Sequence, residues 1–292
     1  MSSGRKKSPT TPDRAPQAWS EDDFAPVAAF LQARPALAPD PSRAGLLLAR
    51  LRTRLQASGF PNFRTWFERV LKADPGGPGL QLLVDLNTVN HTTFFREPAH
   101  FEYLVDQLGP RLRSPAPGVT RVWSAGCSTG QEPYSMAMAL AECVPVLTAD
   151  RLEVWATDLS SEAIDAATAA IYAARDFGGV TPERARRFFL RGKGPRSGTY
   201  RVVPEVRTLV RFRPIDLRYG PWPLPADFQA IFCRNVSIYF PEDERTNLLE
   251  RLATQLAPGG WLAIGTGEII PGTPACLRKV APSIYRKEAG TA

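Results

Sequence analysis

The sequence predicts an α/β fold, a parallel sheet flanked by helices, preceded by an all-α region. Two observations lead to this fold class. From Arg121 onward, short apolar strands alternate with helical segments, which is typical of a parallel sheet that binds its ligand at the carboxyl ends of the strands. Between Ser20 and Arg113 the pattern is helical, and it is broken only by PALAPDPS and ADPGGPG.

Changes in composition divide the chain further. Residues 1–19 are rich in Ser, Thr, Pro and basic side chains, and we predict that they form a disordered tail. Residues 20–113 form the predicted amino-terminal helical domain, and the Pro-rich link RSPAPG leads into the predicted α/β domain, residues 114–292. Five strands of this domain are expected near Arg121–Ser124, Glu153–Thr157, Val210–Pro214, Ala230–Cys233 and Gly260–Ile264.

Between Pro182 and Val210 the pattern changes. A charged helix, ERARRFFLRG, is followed by KGPRSGTYRVVPEVRTLVRF, in which polar and apolar residues alternate as in an antiparallel ribbon. We therefore expect a small antiparallel β-subdomain to be inserted at about residues 182–210.

The formal net charge of +7 and the sequence pI near 9.5 raise the question of an acidic partner. Basic residues of the tail account for part of this charge. In SRAGLLLARLRTRLQASGF the leucines recur at helical spacing, and the arginines fall largely off that stripe. Two interpretations stay open, a solvated helix face and a docking surface for acidic helices.

Composition argues against several classes of protein. No apolar run approaches the roughly 20 residues of a membrane span, and the first residues, MSSGRKKSPTTPDRAP, lack the apolar stretch of a secretory signal. We expect a cytoplasmic protein without membrane insertion. The four cysteines form no C-x-x-C pair, and only two histidines could join them as ligands, so we expect neither a metal site nor a disulfide.

The most informative segment is RVWSAGCSTGQEPYSMAMAL, at Arg121–Leu140. An apolar strand runs through a loop of small residues into an amphipathic helix, which is the first half of a nucleotide-binding unit. Gly126 and Gly130 allow a tight turn and a close approach of a ligand to the backbone. Asp158, at the end of the second predicted strand, is suited to accept hydrogen bonds from both hydroxyls of a ribose.

The charge of this loop indicates the kind of nucleotide. The loop departs from the pyrophosphate fingerprint G-x-G-x-x-G, and Glu132 adds a negative charge where a pyrophosphate would be repelled. S-adenosylmethionine carries a sulfonium and an ammonium group and no phosphate. The loop, Glu132 and Asp158 therefore predict a methyl-donor site, with no metal ion required.

At this point the chain resembles a known family, the CheR-type chemoreceptor glutamate methyltransferases, from about Pro41 to Arg286. Five motifs carry the resemblance in order: NHTTFFRE, WSAGCSTGQEPYS, ATDLS, FCRNVSIYF and LAPGGWLAIGTGE. The resemblance implies a Rossmann-like S-adenosylmethionine-dependent methyltransferase domain, with an amino-terminal all-α domain and a small antiparallel β-subdomain. It also implies transfer of methyl groups to glutamate side chains of methyl-accepting receptors for chemosensory adaptation, leaving S-adenosylhomocysteine.

The first motif carries three site residues by similarity. Asn90, Thr92 and Arg96 are expected to close over the cofactor, with Asn90 and Thr92 near its methionine part and Arg96 near the methyl-transfer centre. An ordinary salt bridge of Arg96 with Glu97 or Asp106 is the alternative. Phe94 and Phe95 of the motif are predicted to pack the two domains together rather than to stack on adenine.

Later motifs supply the remaining candidates by similarity. Asp216 and Leu217 match the position where family members often have Asn-Leu, and an acidic side chain can still accept from the adenine amino group. Asn235 and Val236 lie in the turn after the FQAIFC strand, close to the cofactor. Tyr239 either offers its hydroxyl to the substrate carboxylate or is a packed aromatic residue with a satisfied hydroxyl.

The resemblance also implies partners. The basic helices would approach the helical bundle of a chemoreceptor, and the β-subdomain, with its long loop Gly192–Gly198, can bind a carboxyl-terminal receptor peptide by adding a strand. A surface hairpin without a partner is the alternative for that subdomain. Two departures from the family pattern are Gln131, where Glu is usual, and GTGE at 265–268, where a G-H-S-E-like sequence is common.

Two other functions stay open. A nucleic-acid methyltransferase would use the same cofactor and the positive charge, but the strand end reads Arg234-Asn235-Val236-Ser237 rather than the N/D-P-P-Y/F/W motif of amino-group methyltransferases of DNA, so we expect no nucleic-acid partner. A CheR-like module that binds S-adenosylmethionine or a receptor with little turnover is the second.

Overall fold

A computed structural model describes residues 19–33, 44–87, 92–115, 118–237, 240, 242–268, 270 and 272–288. The chain divides into two compact units, Met1–Asn87 and Thr88–Ala292. The predicted disordered tail lies outside the described residues except for Trp19.

The described part of the first unit is helical. Its helices are α1 Glu21–Gln32, α2 Ala44–Ala57, α3 Phe63–Trp66, which continues as a π-helical segment Phe67–Leu71, and α4 Pro78–Asn87. The side chain of Ser20 accepts the N–H of Asp23 and caps α1, and Asn62 caps α3 through the N–H of Thr65. Pro78 opens α4 after the break ADPGGPG, at a position where its missing N–H costs no hydrogen bond.

Helix α2 confirms the periodicity read from the sequence. Leu47, Leu51 and Leu55 are buried along one face. The arginines between them are exposed: Arg50, Arg52 and Arg54. The helix is therefore held by its leucine face, and its exposed arginines flank that face on both sides.

The second unit contains the sheet. Its helices are α5 Pro98–Arg113, α6 Gln131–Ala141, α7 Ser161–Ala169, α8 Pro182–Phe188, α9 Pro204–Arg207 and α10 Glu242–Gln255. Its strands are β1 Thr120–Ala125, β2 Leu152–Asp158, β3 Ile171–Ala173, β4 Phe189–Arg191, β5 Thr199–Val202, β6 Val210–Pro214, β7 Phe228–Cys233, β8 Leu256–Ile264, β9 Leu277–Ala281 and β10 Ile284–Lys287.

Seven strands form the main sheet in the order β6-β2-β1-β7-β8-β10-β9. The first five are parallel and correspond to the five strands predicted from the sequence. The antiparallel hairpin β9–β10 was not predicted, because Arg278 and Lys279 are exposed and the segment has no continuous apolar run. Strand β1 lies between β2 and β7, so the chain order reverses here and creates the crevice where open α/β sheets bind ligands.

A second, three-stranded antiparallel sheet has the order β3-β5-β4. It begins at Ile171, before the predicted insertion at 182–210. The predicted ribbon is also divided, because Pro204 opens the short helix α9 and Val210–Pro214 then joins the main sheet. Proline at the first position of a helix is favourable, whereas period-two alternation does not say which sheet a strand joins.

Helix α5 belongs to the second unit. From the sequence we predicted that α5 belongs to the amino-terminal helical domain, which ends near residue 113. In the structure, the second compact unit begins at Thr88 and includes α5. The reason is burial: Phe101, Leu104 and Leu108 of α5 lie in the same apolar cluster as sheet residues such as Val122 and Phe232. Among the described helices, none is both long and apolar enough to cross a bilayer.

Candidate functional site

The loop between β1 and α6 lies at the switch point of the sheet. Gly126, Ser128 and Gly130 have φ values of 86, 50 and 94°, so every second residue is left-handed. The N–H groups of Gly126 and Cys127 both donate to the carbonyl oxygen of Thr157 at 2.8 Å. The loop is thus fixed to the end of β2 by its own backbone.

The two glycines also leave no space for a side chain. A Cβ on Gly126 would lie 2.3 Å from Cγ2 of Val236, and a Cβ on Gly130 would lie 2.8 Å from the Tyr172 hydroxyl oxygen. That hydroxyl donates to the carbonyl of Thr129 at 2.8 Å. Val236, predicted as a site residue, therefore packs directly on the loop.

We expect Gly126→Ala to lower the free energy of unfolding by about 1–3 kcal/mol and to weaken nucleotide binding, because both its φ and the contact with Val236 are unfavourable. Urea denaturation and calorimetric titration measure the two effects. Gly45→Ala is the matched control, since nothing lies within 4 Å of a Cβ at this position in α2. Equal results for the two variants would contradict the packing argument.

Asp158 ends β2, as the sequence predicts, and connects two segments. Its Oδ2 accepts the N–H of Ser128 at 2.7 Å, and its Oδ1 accepts the N–H of Ser160 at 2.9 Å. The carboxylate thus joins the loop after β1 to the residues that follow β2. The side chain is therefore oriented by the loop it faces.

Glu132 lies in the first turn of α6, and its side chain is 13% exposed. Its Oε1 accepts the hydroxyl of Ser124 at 2.7 Å, and its Oε2 accepts Nη1 of Arg234 at 3.0 Å. Burial raises the pKa of the carboxyl group, and the adjacent guanidinium opposes that shift. A carboxylate that is paired in this way adds negative charge beside the loop.

Arg234, the residue after β7, was not assigned a role from the sequence. Its side chain is 2% exposed, and its guanidinium carbon lies 5.6 Å from the ring of Phe101 and 5.7 Å from that of Phe232. Besides its bond to Glu132, Arg234 donates through Nη2 to the carbonyl oxygen of Arg96, and the same nitrogen is paired with Oε2 of Glu97 at 3.2 Å. In the sequence, the feature that could have identified Arg234 is its position, since it is a charged residue directly after the apolar strand FQAIFC.

His100 adjoins the same group of charges. Its Nδ1 lies 3.4 Å from Oε2 of Glu97. Burial, followed by the nearby Arg234 guanidinium, lowers the pKa of His100 to about 4. The imidazole is therefore neutral at pH 7, and the charges of this cluster belong to Arg234 and its two glutamates.

Glu268 is the second residue without a predicted role. Its carboxylate accepts the N–H of Asn235 at 2.7 Å, the N–H of Ser237 at 2.9 Å and the hydroxyl of Ser237 at 2.7 Å. It also accepts the N–H of Gly265. Asn235 has a φ of 58°, so this carboxylate holds the turn after β7 in a left-handed conformation and joins it to the turn after β8.

The first motif is described from Thr92 onward. Phe94 and Phe95 are buried, and the N–H of Phe95 donates to the hydroxyl of Ser135 at 3.0 Å. The Arg96 side chain is exposed, and its backbone is held by Arg234. Asn90 and Tyr239, two predicted site residues, lie outside the described residues.

A cleft of about 390 Å³ adjoins this segment. Its lining combines the first motif, the loop after β1 and the start of the small sheet: Thr92, Thr93, Thr129, Gln131, Ala166, Ile171, Tyr172, Arg175 and Asp176. Thr92, predicted to lie near the methionine part of the cofactor, is thus beside the loop residues Thr129 and Gln131.

The remaining predicted pair follows β6. The Asp216 carboxylate accepts from the backbone N–H and the Nε of Arg218, both at 2.9 Å, and its carbonyl accepts from Nε1 of Trp222 at 3.2 Å. Leu217 is buried in an apolar cluster that includes Trp222. Arg218 therefore competes with the predicted adenine contact for the carboxylate of Asp216.

Other kinds of chemistry find little support here. Burial raises the pKa of the Cys127 and Cys233 thiols, which disfavours a nucleophilic thiolate. Within the described part of the chain, no group of three or more His, Cys, Asp or Glu side chains is arranged to hold a metal ion.

A parallel sheet with its switch point at β1, a glycine loop and an acidic residue ending β2 define the fold of S-adenosylmethionine-dependent methyltransferases. Residues 90–285 match the family model "CheR methyltransferase, SAM binding domain". The chain belongs to the CheR methyltransferase family.

Curated relatives agree with this family. A chemotaxis protein methyltransferase of Klebsiella aerogenes is 38% identical over 235 residues, which covers 77% of this chain and 79% of the relative. Chemotaxis protein methyltransferase 2 of Pseudomonas aeruginosa is 36% identical over 267 residues, covering 91% and 93%. A chemotaxis protein methyltransferase of Escherichia coli is 37% identical over 235 residues, covering 77% and 80%.

Proposed function

We propose that this protein transfers the methyl group of S-adenosylmethionine to glutamate side chains of chemoreceptors and forms glutamyl methyl esters. The observation that carries the proposal is the Glu132 carboxylate beside the glycine loop, in a chain of the CheR family. Two carboxylates, Glu132 and Glu97, face the single guanidinium of Arg234, and the negative charge that is left favours a cationic nucleotide and disfavours a pyrophosphate.

Each predicted site residue has a proposed part in binding the cofactor. Asp158, at the carboxyl end of β2 and facing the glycine loop, accepts hydrogen bonds from the ribose hydroxyls. Val236 packs on the loop at Gly126, and Asn235 precedes it in the turn after β7, so we assign both to the cofactor site. Asn90 and Thr92 bind the methionine part of the cofactor, and Asp216 and Leu217 bind adenine. The bound cofactor supplies an electrophilic methyl group on a sulfonium sulfur.

The acceptor explains why the proposed mechanism needs no strong base. A glutamate with an ordinary pKa of about 4.3 is already an anion at neutral pH. What the protein must supply is position, since displacement requires the carboxylate oxygen, methyl carbon and sulfur in line. Arg96 orients one carboxylate oxygen and leaves the other to attack, and Tyr239 offers its hydroxyl to the same carboxylate.

Two surfaces are proposed to bind the receptor. The exposed arginines of α2 suit the acidic surface of a helical bundle: Arg50, Arg52 and Arg54. The small sheet has β3 and β4 at its edges, and Ile171 and Leu190 on them are 44% and 54% exposed. An edge of this kind suits the addition of a peptide strand from the receptor's carboxyl end.

The test is incubation with methyl-labelled S-adenosylmethionine and cytoplasmic receptor fragments, with and without their carboxyl-terminal tails. We expect label on the fragments that is released by base, because carboxyl methyl esters hydrolyse and N-methyl groups persist. Fragments with the accepting glutamates replaced by alanine are the control. Base-stable label, label on added RNA or DNA, or cofactor binding without transfer would each contradict the proposal.

A further inference from the structure

Arg234 joins three segments that are distant in sequence. Its Nη1 contacts Glu132 at the start of α6, and its Nη2 contacts the carbonyl of Arg96 and the carboxylate of Glu97. The residue itself begins the turn that continues with Asn235. One buried cation thus connects the cofactor loop, the turn after β7 and the segment that carries Arg96.

The geometry of the guanidinium suits this connection. Arginine presents its donors in a rigid planar fork, whereas lysine has a compact ammonium on a flexible stem. Burying a charge is costly unless it is paired and hydrogen-bonded, and Arg234 has two carboxylates and a carbonyl as partners.

The conformation of the held segment supports a positioning role. Phe95 and Glu97, on either side of Arg96, have φ values of 54 and 58°, which are unfavourable for residues other than glycine. Such conformations persist only where the surroundings enforce them. The hydrogen bond from Arg234 to the carbonyl of Arg96 is one such constraint, and that from the N–H of Phe95 to the hydroxyl of Ser135 is another.

We propose that Arg234 is a positioning residue for methyl transfer: it fixes the backbone at Arg96, so that the Arg96 guanidinium meets the acceptor carboxylate in one orientation. This inference rests on the proposed function. It predicts that Arg234 affects the transfer step through Arg96, and that cofactor affinity depends on it much less.

A double-mutant cycle tests the inference. We expect Arg234→Lys to lower kcat for receptor fragments roughly 10- to 100-fold, with Kd for S-adenosylhomocysteine changed less than about threefold. In an Arg96→Ala background, Arg234→Lys should lower kcat by less than about twofold, because the Arg96 guanidinium that Arg234 positions is absent. Glu97→Gln, which removes one partner of Arg234 at a less buried position, should show a smaller loss with the same dependence on Arg96.

Arg278→Lys is the matched control, because Arg278 is an exposed arginine of β9 that is paired with Glu288. Its kcat should stay within about twofold of that of the unchanged protein. An equal loss in both backgrounds, or a loss of nucleotide affinity as large as the loss of kcat, would overturn the inference. If Arg234→Lys does not fold, kcat and Kd of Glu97→Gln are measured instead, with and without Arg96→Ala, and the same outcomes support or overturn the inference. Absence of transfer by the unchanged protein would instead refute the proposed function.

Discussion

Arg96→Ala is expected to lower kcat for receptor methylation roughly 100- to 1000-fold while Kd for S-adenosylhomocysteine changes by less than about threefold. The reason is that a cation that orients the acceptor carboxylate acts on the transfer step and makes little contact with the product nucleotide. Single-turnover transfer of labelled methyl measures the first quantity, and calorimetric titration measures the second.

Two further variants sharpen this result. Arg96→Lys keeps the charge but loses the planar fork, so we expect an intermediate rate. Arg278→Ala removes an exposed arginine from β9 and should leave the rate within about twofold. Parallel losses of rate and nucleotide affinity in Arg96→Ala would show that Arg96 binds the cofactor and does not orient the acceptor.

Asp158→Asn should weaken the binding of S-adenosylhomocysteine roughly 30- to 100-fold. The charged oxygens of Asp158 accept two backbone N–H groups, whereas an amide offers one oxygen and places its NH2 group against a donor, either Ser128 or Ser160. Loss of a charge-assisted hydrogen bond costs about 1.5–3 kcal/mol, and each 1.4 kcal/mol is a factor of ten in Kd. Calorimetric titration measures the change.

Asp150→Asn is the matched control, because Asp150 is an exposed residue of the turn before β2. Its Kd should match that of the unchanged protein. A change of less than about threefold in Asp158→Asn would remove Asp158 from the proposed site and would leave the ribose without its predicted acceptor.

Local pattern was sufficient for much of the fold. The five parallel strands, the leucine face of α2 and the break before α4 follow from apolar periodicity and from Gly and Pro, whose effects are confined to a few neighbouring residues. Gly126, Gly130 and Asp158 were also found at the positions that a strand–loop–helix unit predicts. The family followed from five motifs in order, and residues 90–285 match its model.

The sequence determined the order of the strands along the chain, the composition of the cofactor loop and its negative charge. Only the tertiary structure decided that α5 packs with the sheet, that Ile171–Ala173 joins the small sheet, and that Asp216 pairs with Arg218. It also decided the partners of Glu268 and Arg234, which lies 102 residues from Glu132 in the chain. The physical reason is that propensity and periodicity act over a few residues, whereas hydrogen bonds and ion pairs between distant segments depend on how the strands are ordered in the sheet.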